Sequence, residues 1–179
     1  MTDGIARWSV PIVDQLRFAR AEFGRGLDGL EPALALVHVG RLHPIGWNVG
    51  HLAWQEQRYF LTTAQGVTLR PELAIDFASG APMSAPDLGE VLAAWHQVTE
   101  ATDGWLRGLT LEDLQAHPQV QGRLALRTYG SLLLRTIYHY WFHNGENLAI
   151  RQMLEGAATL PEFVGALDDE APYRPEALK

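Results

Sequence analysis

The chain has no cysteine among its 179 residues. That excludes a disulfide, a thiolate nucleophile, cysteine-ligated zinc and an iron–sulfur cluster, so any bound metal has to be held by His, Asp or Glu. It also suits a reducing compartment. Positive charge is scarce: 14 Lys and Arg stand against 21 Asp and Glu, giving a formal charge of −7 and a pI near 5.4. The electrostatic footprint of a nucleic-acid or anionic-membrane binder needs clustered basic residues, and none cluster here. Neither partner is expected; a small molecule is. No apolar run approaches the roughly 20 residues that cross a bilayer, and the opening MTDGIARWSV lacks the basic segment and apolar run of a signal peptide. The expectation is therefore a cytoplasmic protein. Repeats and low-complexity tracts are also missing, and the length and apolar content suit a single domain over 1–179.

What is present is helical periodicity. Trp8, Ile12, Leu16, Ala19, Phe23 and Leu27 recur every three or four positions and line one side of a first helix. A second begins after Pro44, which suits a first-turn position, and runs to a stop at Gly66. From Gln65 to Pro86 the text turns to Gly, Pro and Ser with no convincing period, a crossover with room for one short helical turn. SAPD at 84–87 resembles a capping box, followed by a third stripe through Leu88, Val91, Leu92, Trp95, Val98, Thr102, Leu106 and Leu109. TLED at 110–113 caps a short helix, 118–128 reads as loop or brief hairpin, and a fourth helix spans Tyr129 to Glu155, closed by Gly156. The tail 157–179 carries Phe163, Val164 and Tyr173 and is expected to pack on the helices. Four long helices with one extended crossover describe an all-α four-helix bundle that is not simply up-down-up-down, a fold that builds its sites in the bundle core.

HYWFHNGE at 139–146 sets two histidines four apart. At about 100° per residue they differ by only about 40° around the helix, so His139 and His143 lie one above the other. Thr136, Glu146 and Ile150 share that face; Trp141 points away. Such a pair reads equally as two ligands of a divalent ion or as two partly buried rings satisfied by hydrogen bonds. A zincin motif is excluded, because position 140 is Tyr where that motif needs Glu. A ferritin-like di-iron site is excluded as well, since no Glu stands three residues before a histidine. The best third ligand is His51, mid-helix beside Gly50, where a neighbouring backbone could approach closely. Trp47, Asn48, Trp54 and Gln55 share its face; Glu56, about 140° away, pairs or caps elsewhere. His38, His43, His96 and His117 are given ordinary roles, as are Tyr138, Tyr140, Trp141 and Phe142, whereas Trp47 and Trp54 could wall the site.

PIGWNVGHLAWQEQRYFL at 44–61 together with IYHYWFHNGENLAIRQML at 137–154 resembles the DinB superfamily, and the tail LPEFVGALDDEAPYRP is similar to that of many members. The resemblance covers most of the chain. Its motifs are a histidine in the middle of helix two, here His51, and an HxxxH in helix four followed by Gly and Glu or Gln, here His139, His143, Gly145 and Glu146. It implies an up-down-down-up bundle, often a homodimer, holding nickel, zinc or iron on His51, His139 and His143 with one to three positions left for water. It does not imply one reaction: relatives resemble transferases that use low-molecular-weight thiols or are described as metal-dependent hydrolases.

Three neutral imidazoles leave a divalent ion its full charge, enough to activate a water or thiol near neutral pH. Glu146, one turn beyond His143, is the candidate for holding that ring or relaying a proton, and Gln55 for orienting a substrate group or water. Asn144 and Asn147 receive no role. Gly145, costly in mid-helix, points to close helix contact. The expected function is a metal-dependent thiol transferase or hydrolase acting on a small molecule. The alternatives are a non-catalytic metal-binding or stress-response module, and a structural bundle with hydrogen-bonded core histidines.

Overall fold

Helix α1, Pro11–Leu27, starts on a proline whose fixed φ suits the first helical turn. It buries Val13, Leu16, Ala19, Phe23 and Leu27 on one side. The structure is a computed structural model that describes residues 10–156, 158 and 160–173; Trp8, the first residue of the expected stripe, lies outside the described residues. Helix α2, Ile45–Glu56, is buried at every position, as befits the central element of a core. Pro44 stands at its N-cap, one position earlier than expected. Instead of continuing as regular helix to Gly66, the chain widens into π-helical turns over Gln57–Thr63, a local change of pitch that often accompanies functional sites.

The crossover is held by Gln57. Its side-chain oxygen accepts from the N–H groups of Leu69 and Arg70, and its amide donates to the Arg70 carbonyl. One short helix, α3, Leu73–Asp76, interrupts this segment, and Phe77 directly after it packs into the core. Helix α4, Leu88–Leu106, is capped by Asp87, which accepts from the Glu90 N–H at 3.0 Å. The cap is thus three residues later than a box built on Ser84 would place it, because Asp87 itself takes the N-cap geometry. Thr110 and Asp113 cap each other's backbone N–H groups before a single 3₁₀ turn. Strands β1, Gln119–Val120, and β2, Arg123–Leu124, form a brief hairpin. Gln121 and Gly122 at its tip both have positive φ, 50° and 76°, as a primed two-residue turn requires. Helix α5 runs Tyr129–Glu155 between the Thr128 cap and Gly156, whose φ of 89° ends it.

Helix α1 packs mainly along α5, and α2 packs along α4 and α5. Among the described residues no helix is long and apolar enough to cross a membrane. The centre of the bundle is braced by polar groups. Arg20 of α1 forms an ion pair with Glu56 of α2, 0% exposed, and bonds Thr102 and Asp103 of α4. Tyr140 of α5 donates to Glu56 at 2.6 Å and accepts from Trp95 at 2.7 Å. Glu56 therefore has a structural partner, as its position on the far face of α2 implied. Gly145 differs from expectation: it is exposed, and a Cβ there would meet nothing within 4 Å, so no neighbouring helix requires it. Over its described residues 160–173 the tail touches α1 and α5, but it does not bury the aromatic residues expected to anchor it: Phe163 is 68% and Tyr173 90% exposed. Arg25 pairs with Glu170 of α6, Leu167–Glu170, Gln15 donates to the Ala171 carbonyl, and the Phe163 ring sits 5.8 Å from Trp141.

Candidate metal centre

Helices α2 and α5 meet where His51 faces the pair His139 and His143. One ring nitrogen from each lies within 4.8 Å of the others. Ring centroids are 4.9 Å apart for His51 and His139, 5.3 Å for His51 and His143, and 4.6 Å for His139 and His143. His51 and His143 are buried and His139 is half-buried, so access is on the His139 side.

Each imidazole is held by its Nδ1 atom. His51 Nδ1 is 2.6 Å from the Phe77 carbonyl, His143 Nδ1 is 2.8 Å from Glu146 Oε2, and His139 Nδ1 is 2.7 Å from Gln55 Oε1. A carbonyl or carboxylate oxygen only accepts, so the Nδ1 atoms carry the protons and donate them. The Nε2 lone pairs are left facing the common centre, with those of His139 and His143 only 3.0 Å apart. Two lone pairs at that distance with no proton between them repel, and a cation between them removes the repulsion. Nitrogens bound at about 2.0–2.1 Å to one ion stand about 2.9–3.4 Å apart for bond angles between 90° and tetrahedral. The His139–His143 separation falls in that range, and with a His51 ring nitrogen within 4.8 Å of both the three residues form a group that could hold a divalent ion.

Electrostatics favour the neutral form of His51 and His139. Burial lowers the His51 pKa to about 4 and the His139 pKa to about 3; the nearby histidines push in the same direction, as does Arg135 for His139. For Glu146, burial works to raise the carboxyl, but hydrogen bonds from His143 and Asn48, together with the nearby His143 and His43 rings, outweigh it and hold it below the ordinary value. Glu146 is thus a carboxylate fixed between two donors, His143 and Asn48 Nδ2 at 3.0 Å.

The site draws on residues that sequence reasoning did not assign. The Phe77 carbonyl comes from the crossover and, being backbone, leaves no signal in residue type. Its ring covers Gly50, where a Cβ would stand 2.7 Å from it; the close neighbour expected at Gly50 is this side chain, not a backbone. Asn48, already on the His51 face, bridges Glu146 and Asn147 Oδ1, the latter at 2.8 Å; Asn147, given no role from the sequence, is a buried part of this clamp. Gln55 is 4% exposed and turned to His139. Trp47 stacks on His51 at 4.7 Å, and Trp54 lies 5.3 Å from it, so both wall the site. His43 stacks on the outer side of Trp47 at 3.8 Å. The Trp47 indole N–H is buried and, among the described residues, has no hydrogen-bond partner. The remaining histidines lie elsewhere: His38 beside Met83, His96 against Trp95, and His117 on the Ala125 carbonyl.

A sequence model of the DinB superfamily matches residues 15–146, a span that includes all three histidines. No curated protein matches the chain.

Proposed function

We propose that this chain, which belongs to the DinB superfamily, is a divalent-metal enzyme that activates a thiol or a water for transfer to, or hydrolysis of, a small molecule. The observation that carries this reading is the convergence of three Nε2 lone pairs whose rings are each fixed through Nδ1. When bound, a nickel, zinc or iron ion supplies Lewis acidity that makes a water or thiol acidic near neutral pH. The chain's own residues do the rest. Phe77, Gln55 and Glu146 set the tautomer and aim of His51, His139 and His143, the outer-shell function that keeps such ligands basic and oriented. Glu146, a carboxylate held below its ordinary pKa, accepts the His143 Nδ1 proton and keeps that ring oriented and electron-rich toward the ion it would hold. Trp47 and Trp54 exclude water from the His51 side, so the reacting molecule enters past His139.

Elemental analysis of purified protein tests the metal, with about one ion per chain expected in wild type and little in His143→Ala. Turnover is then measured with thiol-conjugation substrates and with ester and amide panels. Metal-loaded wild type no more active than His143→Ala on every panel would remove the enzymatic reading. A second reading, a non-catalytic metal-binding module, draws on one observation: Gln55 and Glu146, the polar side chains nearest the rings, are both committed to Nδ1 atoms. It predicts full metal loading without turnover.

A further inference from the structure

Outside the triad, α5 carries a stripe that stays exposed among the described residues. Leu134, Tyr138 and Phe142 recur every four residues and are 41%, 65% and 65% exposed. Three large apolar side chains in one row on a soluble surface mark a contact site more often than chance exposure. With Ser131, Arg135 and His139, all on α5, they line an open surface hollow. His139 belongs to both places: its ring is a member of the triad and a wall of the hollow.

Charge says what kind of molecule fits. Arg135 stands one turn before His139, and its Nε donates to the Tyr59 hydroxyl at 3.0 Å, which fixes the arm. Arg58 lies over the same tyrosine, 5.7 Å from its ring centroid, and over Trp54 at 5.4 Å. Neither arginine has a carboxylate partner among the described residues. In a chain of net charge −7, two arginines without carboxylate partners stand on the His139 side, and a divalent ion held by the triad would add to their positive charge. A guanidinium with its terminal nitrogens available is matched to a carboxylate, which it binds through two parallel hydrogen bonds.

We infer that the hollow beside His139 is the substrate subsite for a small carboxylate with an apolar or aromatic body, its carboxylate on Arg135 and its body on Leu134, Tyr138 and Phe142. Its catalytic meaning rests on the metal-enzyme reading above; the binding itself does not. The carboxylate end is held about one helical turn from the ligand rings, and the reacting end of the molecule comes to the triad. Acids are thereby selected over neutral analogues of the same shape.

The test uses 4-phenylbutyrate and its neutral amide as probes, titrated calorimetrically into purified protein as isolated and after chelator treatment. The acid is expected to bind roughly tenfold or more tightly than the amide in both forms. Arg135→Met brings the two within about twofold while metal content per chain stays at the wild-type level; Arg135→Lys keeps part of the preference. Phe142→Ala weakens acid and amide alike. Equal binding of acid and amide to wild type, or a preference retained in Arg135→Met, overturns the inference. So does concentration-dependent dimerisation that Tyr138→Glu abolishes, with no acid preference. A protein that binds no metal yet keeps the Arg135-dependent preference upholds this subsite and removes the metal reading; a metal-loaded protein without the preference does the reverse.

Discussion

Glu146→Ala is the perturbation that separates a built metal site from a chance meeting of histidines. Glu146 Oε2 accepts from His143 Nδ1 at 2.8 Å and from Asn48 Nδ2 at 3.0 Å, and its side chain is 15% exposed, so water does little to screen it. Truncation frees the His143 ring to turn and removes one negative charge beside the site. Loss of such an outer partner costs about 10–100-fold in metal affinity, or about 1.4–2.7 kcal/mol, and the lost charge places Ala toward the upper end. Glu146→Gln retains an accepting oxygen and is expected near the lower end. Asn48 keeps its bond to Asn147 at 2.8 Å, so the fold loses only about 1 kcal/mol. Asn48→Ala alone weakens metal binding less than Glu146→Ala, and the double variant is no worse than Glu146→Ala, because both act through one carboxylate. The assay is competition for zinc or nickel against a chelator of known affinity, with thermal unfolding of the metal-free forms as the control for folding. If Glu146→Ala holds metal within twofold of wild type while His143→Ala does not, the carboxylate has no part in the site and the reasoning fails.

Other outcomes follow from the same contacts. Gly50→Ala drives a Cβ to 2.7 Å from the Phe77 ring, so it should cost about 1–3 kcal/mol and, by moving the carbonyl that holds His51, weaken metal binding; unchanged urea midpoint and affinity would contradict this. Gly145→Ala meets open space on an exposed helix face and should raise stability by about 0.4–1 kcal/mol, read as a higher Tm; a fall would restore the tight contact expected from the sequence. Tyr140→Phe strips a buried hydroxyl from Glu56 and Trp95 and should cost about 1–3 kcal/mol, with denaturant unfolding as the measure and no loss as the refutation. In the metal-free fold His51 and His139 titrate at about 4 and about 3, against about 6.5 once unfolded. Between those values the unfolded chain binds more protons, so their contribution is whole above pH 6.5 and is lost as pH falls toward 4, with a slope of up to about 2.7 kcal/mol per pH unit. Urea midpoints of chelator-treated protein at pH 7 and pH 5 should differ less in His139→Asn than in wild type; an equal difference would count against neutral buried rings.

Local rules made much of this molecule legible. Periodicity located α1, α2, α4 and α5, because burying one side of a helix imposes a three-to-four spacing on the residues themselves. HxxxH put His139 and His143 on one face for the same reason, and Glu146 came into reach of His143 from helical geometry alone. The cap of α4 is Asp87 and not the Ser84 that the SAPD box suggests, because two residue types that both cap stand three apart and only the backbone angles choose between them. Gly145 was given a contact it does not have, since the sequence shows that a side chain is missing but not whether anything occupies the space. The meeting of His51 with the α5 pair, the Phe77 carbonyl on His51, and Gln55 turned to His139 join residues 26 to 92 positions apart. No local pattern encodes such contacts: they arise from how α2 rotates against α5 and where the crossover returns. The Arg20, Glu56 and Tyr140 brace ties α1, α2 and α5 together across the same core, and only the tertiary structure turned three separate histidines into one cluster.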